Sequence, residues 1–157
     1  MMKNVVVVAV SNMDHQELAL KYFNMKYHCS QAVLAAYSDL TGLSIDESLK
    51  LGSCFGSGMR QGEVCGAATG ALMVLGLIFG YTDPNNKEQS NRINDKFLKR
   101  FKEVNGSYLC NELLKCDIRT IEGVNYARNN NLFTEFCPKM VYSATKILDE
   151  IIKEESK

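Results

Sequence analysis

The sequence has few residues that break helices, with two prolines and 11 glycines among its 157 residues. Its β-branched residues concentrate at the extreme N-terminus, in residues 5–10, and do not form alternating apolar patterns along the chain. A chain of this length corresponds to about one domain and can bury its own hydrophobic core. We therefore predict an all-α fold, a single-domain helical bundle.

The sequence also has no excess of positive charge. Its 18 lysines and arginines are balanced by 18 aspartates and glutamates, and no basic cluster stands out. A nucleic-acid-binding protein is expected to carry a basic patch that meets the phosphates. We therefore expect neither nucleic acid nor an anionic membrane surface as a partner.

Two apolar segments resemble targeting or membrane sequences. The run at residues 5–10 is six residues long, which is shorter than the 7–15 residues of a signal-peptide core, and no cleavage site follows it. We interpret residues 1–12 as an N-terminal extension of a cytoplasmic protein, with an export signal as the alternative, and residues 13–157 as the helical domain. Residues 64–82 carry no charge and are nearly long enough to cross a bilayer, which takes about 20 residues. Because this stretch contains four glycines and Thr69, we interpret it as the buried central helix of the bundle and expect no membrane span.

Capping signals and apolar spacing divide the chain into helices. Asp14 begins the first helix, Gly42 ends the second, and the capping box Ser44 to Glu47 begins a short third one. The expected helices cover about residues 14–26, 29–41, 44–52 and 63–79, an amphipathic segment ending at 105, and segments starting at 107, 120 and 138. The apolar stripes are expected at Leu18, Tyr22 and Met25, at Ile93, Phe97, Phe101 and Val104, and at Val141, Ala144, Leu148 and Ile151.

Six cysteines are the main indication of function. Their spacing includes no C-x-x-C, no haem-attachment motif and no zinc-finger pattern, so any shared site has to be assembled by folding. Four cysteines are expected at the N-termini of helices: Cys29, Cys65, Cys110 and Cys137. Unpaired backbone N–H groups and the helix dipole favour a thiolate there and lower its pKa from about 8.5. Cys54 lies in a glycine-rich linker and Cys116 beyond a short helix, so neither gains this help, and we expect Cys54→Ser to be tolerated.

Small residues follow Cys65. Gly66, Ala67 and Gly70 give a smooth helix surface on which another backbone can approach the Cys65 sulfur, as a disulfide or a metal cluster would require. We therefore predict cofactor contacts for Gly66 and Gly70. His15 is interpreted as a solvated surface residue. His28 is interpreted as a surface or capping residue, with ligand tuning or replacement as the alternative.

Several motifs together carry a resemblance. They are His28-Cys29-Ser30-Gln31-Ala32-Val33, Phe55-Gly56-Ser57-Gly58-Met59, the run from Cys65 to Gly76, Cys110-Asn111-Glu112-Leu113-Leu114 and Cys137-Pro138-Lys139-Met140-Val141. Over about residues 15–155 the chain resembles the bacterial and archaeal C_GCAxxG_C_C family, which implies a small helical protein that is redox-active or binds metal. His28 departs from the family, whose members often carry Asn there. Split-Soret cytochromes carry a similar cysteine set with an iron–sulfur centre, and since this chain lacks their haem-attachment motif, only the cluster transfers by analogy.

Three functions remain open at this point. In the first, Cys29, Cys65, Cys110 and Cys137 ligate an iron–sulfur cluster for electron transfer, with Cys116 as a reserve ligand and an unidentified redox partner. In the second, the same cysteines form a thiol–disulfide oxidoreductase or redox sensor without a cofactor. In the third, they hold structural zinc in a module that binds a partner linked to transport. We also expect a homodimer, but only because symmetric dimers are the commonest oligomers of soluble proteins.

Overall fold

The computed structural model describes residues 13–157, and the extension predicted at residues 1–12 lies outside the described part. The fold is a bundle of helices, which we number α1 His15–Asn24, α2 Cys29–Ala36, α3 Ser38–Thr41, α4 Ile45–Gly52, α5 Gly66–Phe79, α6 Glu88–Asn105, α7 Cys110–Leu114, α8 Ile121–Asn129 and α9 Cys137–Glu155. Short turns lie at Gly58–Gly62, Pro84–Asn86 and Leu132–Phe136. Within residues 13–157 the only β pairing is one isolated antiparallel bridge, between Val64 and Leu109. The prediction of an all-α single domain is confirmed.

Local capping explains where several helices begin. The Asp14 carboxylate accepts a hydrogen bond from the Glu17 N–H at 2.7 Å at the start of α1. At the start of α4, Ser44 and Glu47 accept each other's backbone N–H groups at 3.0 Å, as the capping box predicts. Helix ends follow the glycine signals, since Gly42 and Gly106 both adopt positive φ beyond α3 and α6.

The apolar helix α5 is the centre of the bundle, as predicted. It packs against α2, α6 and α9, and its buried residues include Ala67, Ala71 and Val74. Near its C-terminus Leu77 is 42% exposed, so burial is complete only toward the N-terminal part. Among the described helices, none is both long and apolar enough to cross a membrane.

Three details differ from the sequence prediction. The expected helix at 29–41 breaks at Tyr37, whose fully buried side chain donates a hydrogen bond to Asp149 of α9 at 2.7 Å. The central helix begins at Gly66 and not at Glu63, because residues 63–65 pair with residues 108–110. Two residues expected in apolar stripes are exposed: Met25, which follows the last residue of α1, and Val104, which lies in the last turn of α6.

Helices α2 and α5 approach closely because glycine lines the contact. A Cβ atom built on Gly70 would lie 2.8 Å from the Ser30 carbonyl oxygen and 3.2 Å from the Val33 Cβ. Real Cβ atoms do not tolerate the first of these distances, so any side chain here pushes the two helices apart. Gly76 lies in the same helix with open space around its Cβ position.

The interpretation of His15 as a solvated residue is wrong. Its ring stacks on Tyr37 at 4.0 Å and contacts Asp149 at 3.0 Å and Asp39 at 3.1 Å. These contacts join α1, α3 and α9. Burial lowers the pKa of His15, but the hydrogen bonds and attraction from Asp149 and Asp39 outweigh burial, and its pKa is raised above 6.5.

We expect Gly70→Ala to lower the free energy of unfolding by about 1–3 kcal/mol through overpacking. The matched substitution Gly76→Ala, also inside α5, should raise it by about 0.5–1 kcal/mol, because alanine loses less entropy than glycine in a helix. Urea unfolding followed by circular dichroism measures both. Equal effects of the two substitutions would contradict the close approach of α2 to α5.

The raised pKa of His15 links its protonation to stability. Its stabilising contribution is complete below pH 6.5, the unfolded value, and is lost as the pH rises through the higher folded value. The difference in unfolding free energy between the wild type and His15→Gln should therefore shrink as the pH rises above 6.5. Urea titrations at several pH values measure it, and taking the difference removes the contribution of other titrating groups.

Candidate functional site

Four cysteines from four separate segments line one cavity of about 450 Å³. They are the four expected at helix N-termini: Cys29, Cys65, Cys110 and Cys137. Three of them are the first residues of α2, α7 and α9, and Cys65 directly precedes α5. Four helix N-termini therefore point at one space, which concentrates backbone N–H groups around the sulfur atoms.

A short antiparallel contact fixes Cys65 beside Cys110. The Cys65 N–H donates to the Tyr108 carbonyl oxygen at 2.8 Å, and the Cys110 N–H donates to the Glu63 carbonyl oxygen at 2.6 Å. These bonds lie on either side of the Val64–Leu109 bridge. Although 45 positions separate the two cysteines in the chain, backbone bonds at the cysteines themselves fix their relative position.

Cys137 reaches the cavity through a small second hydrophobic cluster. Its buried members are Cys110, Leu114 and Ile118, and Cys116, Phe133, Phe136 and Cys137 are among the half-buried side chains packed against them. This cluster lies under the turn Leu132–Phe136, which leads directly into α9. Packing of apolar side chains therefore places the fourth cysteine without a backbone bridge.

Cys29 is held between a left-handed turn and the start of α5. Four consecutive residues, 57–60, have φ between 55° and 60°, and only Gly58 among them is a glycine. The backbone N–H of Ser57, at the start of this turn, lies close enough to lower the pKa of Cys29. On the other side, a Cβ on Gly66 would lie 2.5 Å from Cys29 Sγ. Left-handed non-glycine residues cost free energy, and such strain is concentrated at functional sites.

Electrostatics separates Cys29 from the other three cysteines. The hydrogen bond from the Cys65 thiol, helped by backbone N–H groups of Ser57 and Ser30, lowers the pKa of Cys29 to about 7. The same contact and burial raise the pKa of Cys65 well above its usual value. Burial and the negative charge at Cys29 raise the pKa of Cys110 and of Cys137 to about 12. The expectation that all four helix N-termini lower the pKa is therefore wrong, because desolvation and mutual repulsion outweigh the dipole.

The remaining predicted residues lie in different places. Gly66 lines the cavity, whereas Gly70 contacts Ser30 and Val33 and is not among the residues that line it. Cofactor contacts for both stay predictions. Cys54 is exposed and does not line the cavity, and Cys116 is half-buried in the second cluster, close enough to Cys110 and Cys137 to raise the pKa of both.

His28 lies at the rim of the cavity. Its backbone N–H donates to the Gln31 side chain at 2.9 Å, and its ring covers Gly56, where a Cβ would lie 2.4 Å from the ring carbon Cγ. His28 therefore caps the start of α2 through its backbone, and its ring forms part of the cavity wall. The capping position agrees with the sequence interpretation, and the place beside Cys29 is additional.

Sequence reasoning missed the Ser57 N–H donor and the apolar wall of the cavity. The wall includes Tyr27, Leu114, Phe133 and Met140. The glycine-rich run 52–62 indicates a tight turn, but nothing in it indicates that Ser57, Met59 and Arg60 would be left-handed. The apolar wall comes from four segments that no local pattern joins.

The four cysteine thiols can be compared with the ligand sets of zinc sites and of iron–sulfur clusters. Among residues 13–157, no three His, Cys, Asp or Glu side chains are grouped closely enough to hold a metal ion as they stand. A structural zinc ion needs four ligands at about 2.0–2.3 Å from one point. An iron–sulfur cluster instead accepts four thiolates spread around a larger inorganic core. In number and chemistry, the four cysteines around the cavity match the usual ligand set of an iron–sulfur cluster.

The fold and the site define a small helical protein with a cysteine-lined cavity, and comparison with known families agrees. A family model described as "Putative redox-active protein (C_GCAxxG_C_C)" matches residues 27–151. The chain belongs to this family. No curated protein and no solved structure gives a significant match to the chain.

The contact between Cys65 and Cys29 predicts how Cys29 titrates. In reduced, metal-free protein, alkylation of Cys29 by iodoacetamide should rise with a midpoint near pH 7, because only the thiolate reacts. Cys65→Ala removes the hydrogen-bond donor and should move the midpoint upward. Peptide mass spectrometry measures the rate at each pH. Cys54→Ser is the matched control and should leave the midpoint in place.

Proposed function

We propose that the protein is an electron carrier in which Cys29, Cys65, Cys110 and Cys137 ligate an iron–sulfur cluster. The observation that supports this most directly is that the four thiols line one cavity. Four thiolates are the usual ligand number for both common cluster types. When bound, such a cluster supplies one-electron transfer.

The chain contributes two kinds of tuning to such a centre. Backbone N–H groups of Ser57 and Ser30 lower the pKa of Cys29, and those of Ala67 and Ala68 act in the same direction on Cys65. Hydrogen bonds to sulfur and solvent exposure are main determinants of cluster potential. The apolar wall, with Leu114 and Phe133, limits water around the sulfur atoms.

Anaerobic purification followed by a visible spectrum and by analysis of iron, sulfide and zinc tests this proposal. We expect brown protein with iron and acid-labile sulfide. Cys65→Ser should lose most of the iron and the visible absorbance. Cys54→Ser replaces an exposed cysteine outside the cavity and should retain both.

Three outcomes would contradict the cluster. Metal-free protein would rule out the iron–sulfur cluster, and zinc without iron would support a module held together by structural zinc. Full iron and an unchanged spectrum in Cys65→Ser would show that the ligands lie elsewhere. Circular dichroism of each variant distinguishes loss of ligand from loss of fold.

A second candidate function is thiol–disulfide exchange, favoured by the shared cavity of Cys65 and Cys29 and by the effect of each thiol on the pKa of the other. The Cys29 thiolate attacks a disulfide of a partner, forms a mixed disulfide and releases one partner thiolate. Cys65 then loses its proton and attacks Cys29 Sγ, which forms the Cys29–Cys65 disulfide and releases the second thiolate. Two cysteine thiols are oxidised as one partner disulfide is reduced to two thiols.

Colourless, metal-free protein would favour this second candidate, and thiol counting then tests it. Oxidised glutathione should remove two thiols per chain, and peptide mapping should find them joined as Cys29–Cys65. A different pair, or no loss of thiols, would contradict it. Cys54→Ser should lose the same two thiols as the wild type.

A further inference from the structure

A second, open groove of about 690 Å³ adjoins the cysteine cavity. His28, Ser57 and Phe133 line both spaces, so these side chains form the wall between them. Ser57 and Cys29 line the same cavity, and the backbone N–H of Ser57 lowers the pKa of Cys29. A molecule in the groove is thus separated from Cys29 by a single layer of residues.

The groove is positively charged. Arg60, Arg119 and Arg128 line it, all three are exposed, and no carboxylate is among the lining residues. Arg119 is paired with Asp117 at 2.9 Å. Neither Arg60 nor Arg128 forms an ion pair with any residue in 13–157. Glu63 is close enough to raise the pKa of Arg119 as well. Because the whole chain has a net charge of zero, the two arginines without an ion pair still give the groove a local positive excess.

Apolar side chains lie between these charges. Met59, which is 47% exposed, and Val124 line the groove together with Arg60 and Arg128. Ile121 is 78% exposed and lies three positions before Val124, on the same face of α8. Methionine and arginine are both enriched at protein–protein interfaces relative to the rest of the surface.

We propose that this arginine groove, defined by Met59, Arg60, Val124 and Arg128, is the docking surface for the acidic face of a redox partner protein. The inference rests on the proposed redox function, since either an electron carrier or a thiol oxidoreductase has to meet its partner close to its cysteines. Charge complementarity indicates an acidic partner. Each arginine guanidinium can donate two parallel hydrogen bonds to a surface carboxylate, and the positive charge of the groove attracts an acidic protein. The shared wall brings that partner next to Cys29.

Titration of the isotope-labelled protein with a flavodoxin of strongly negative net charge tests this proposal by NMR. At low ionic strength, we expect chemical-shift changes at Met59, Ile118, Val124 and Arg128, and their loss in high salt. Arg60→Gln combined with Arg128→Gln should weaken binding on the order of tenfold. Arg60 has a left-handed backbone, with a φ of 60°, so its substitution can also affect folding. The single variant Arg128→Gln changes only an exposed helix residue and therefore tests the loss of charge without that effect.

Lys153→Gln is the matched control. It removes one exposed positive charge near the end of α9, about 24 Å along that helix from Cys137. Flavodoxin binding should be unchanged in this variant. A strongly basic cytochrome c should produce no shifts in the groove.

Several outcomes would overturn the proposal. Shifts spread over the surface, no shifts with the acidic protein, or equal loss of binding in Lys153→Gln each rule out docking in the groove. Shifts in the groove with ferricyanide but none with flavodoxin would indicate a small-anion site instead. Because NMR binding requires no metal and no turnover, absence of a cluster would not alter this result, and the two proposals fail separately.

Discussion

The contact between the Gly66 backbone and the Cys29 sulfur is the constraint on which the site depends. The missing side chain at Gly66 lets the first residue of α2 rest against the first turn of α5, and Gly70 continues that contact one turn later. Ser30 also joins α2 to α4, because its hydroxyl donates to the Gly52 carbonyl oxygen at 2.7 Å. Cys29 and Cys65 are therefore neighbours because two helix backbones pack without side chains between them.

That packing brings four thiols together in a space that stabilises one thiolate but not four. Helix N-termini favour thiolates, but the surroundings are largely apolar, so each additional charge meets both desolvation and repulsion from Cys29. Of the four thiols, only Cys29 therefore has a lowered pKa, of about 7, while the pKa values of the other three are raised. A metal cluster would supply positive charge and displace the remaining protons, since ligating thiols have to be deprotonated. Disulfide formation removes the charge instead. The site therefore suits both redox chemistries for one physical reason.

Much of the fold could be predicted because its signals are local. Caps at Asp14 and Ser44 and the uncharged run of α5 depend only on neighbouring residues. The positions of the cysteines at helix starts follow from the same signals. The break at Tyr37 and the His15 network could not be predicted, since both depend on Asp149 more than a hundred positions away. The pKa values of the cysteines could not be predicted either, because helix position is visible in sequence whereas burial and the distance between thiols are not.

The two sides of the cysteine cavity have opposite character, and this asymmetry suits a redox centre. Toward α5 the wall is closed by glycine and alanine packing, which excludes water. Toward α8 one layer of residues separates the sulfur atoms from exposed arginines. Positive charge there stabilises the more negative state of the centre, whether that state is a reduced cluster or a free thiolate. Salt screens this effect beyond about 8–10 Å, so it is strongest for groups at the shared wall. If the proposed acidic partner neutralises these arginines, their stabilisation of the more negative state becomes weaker.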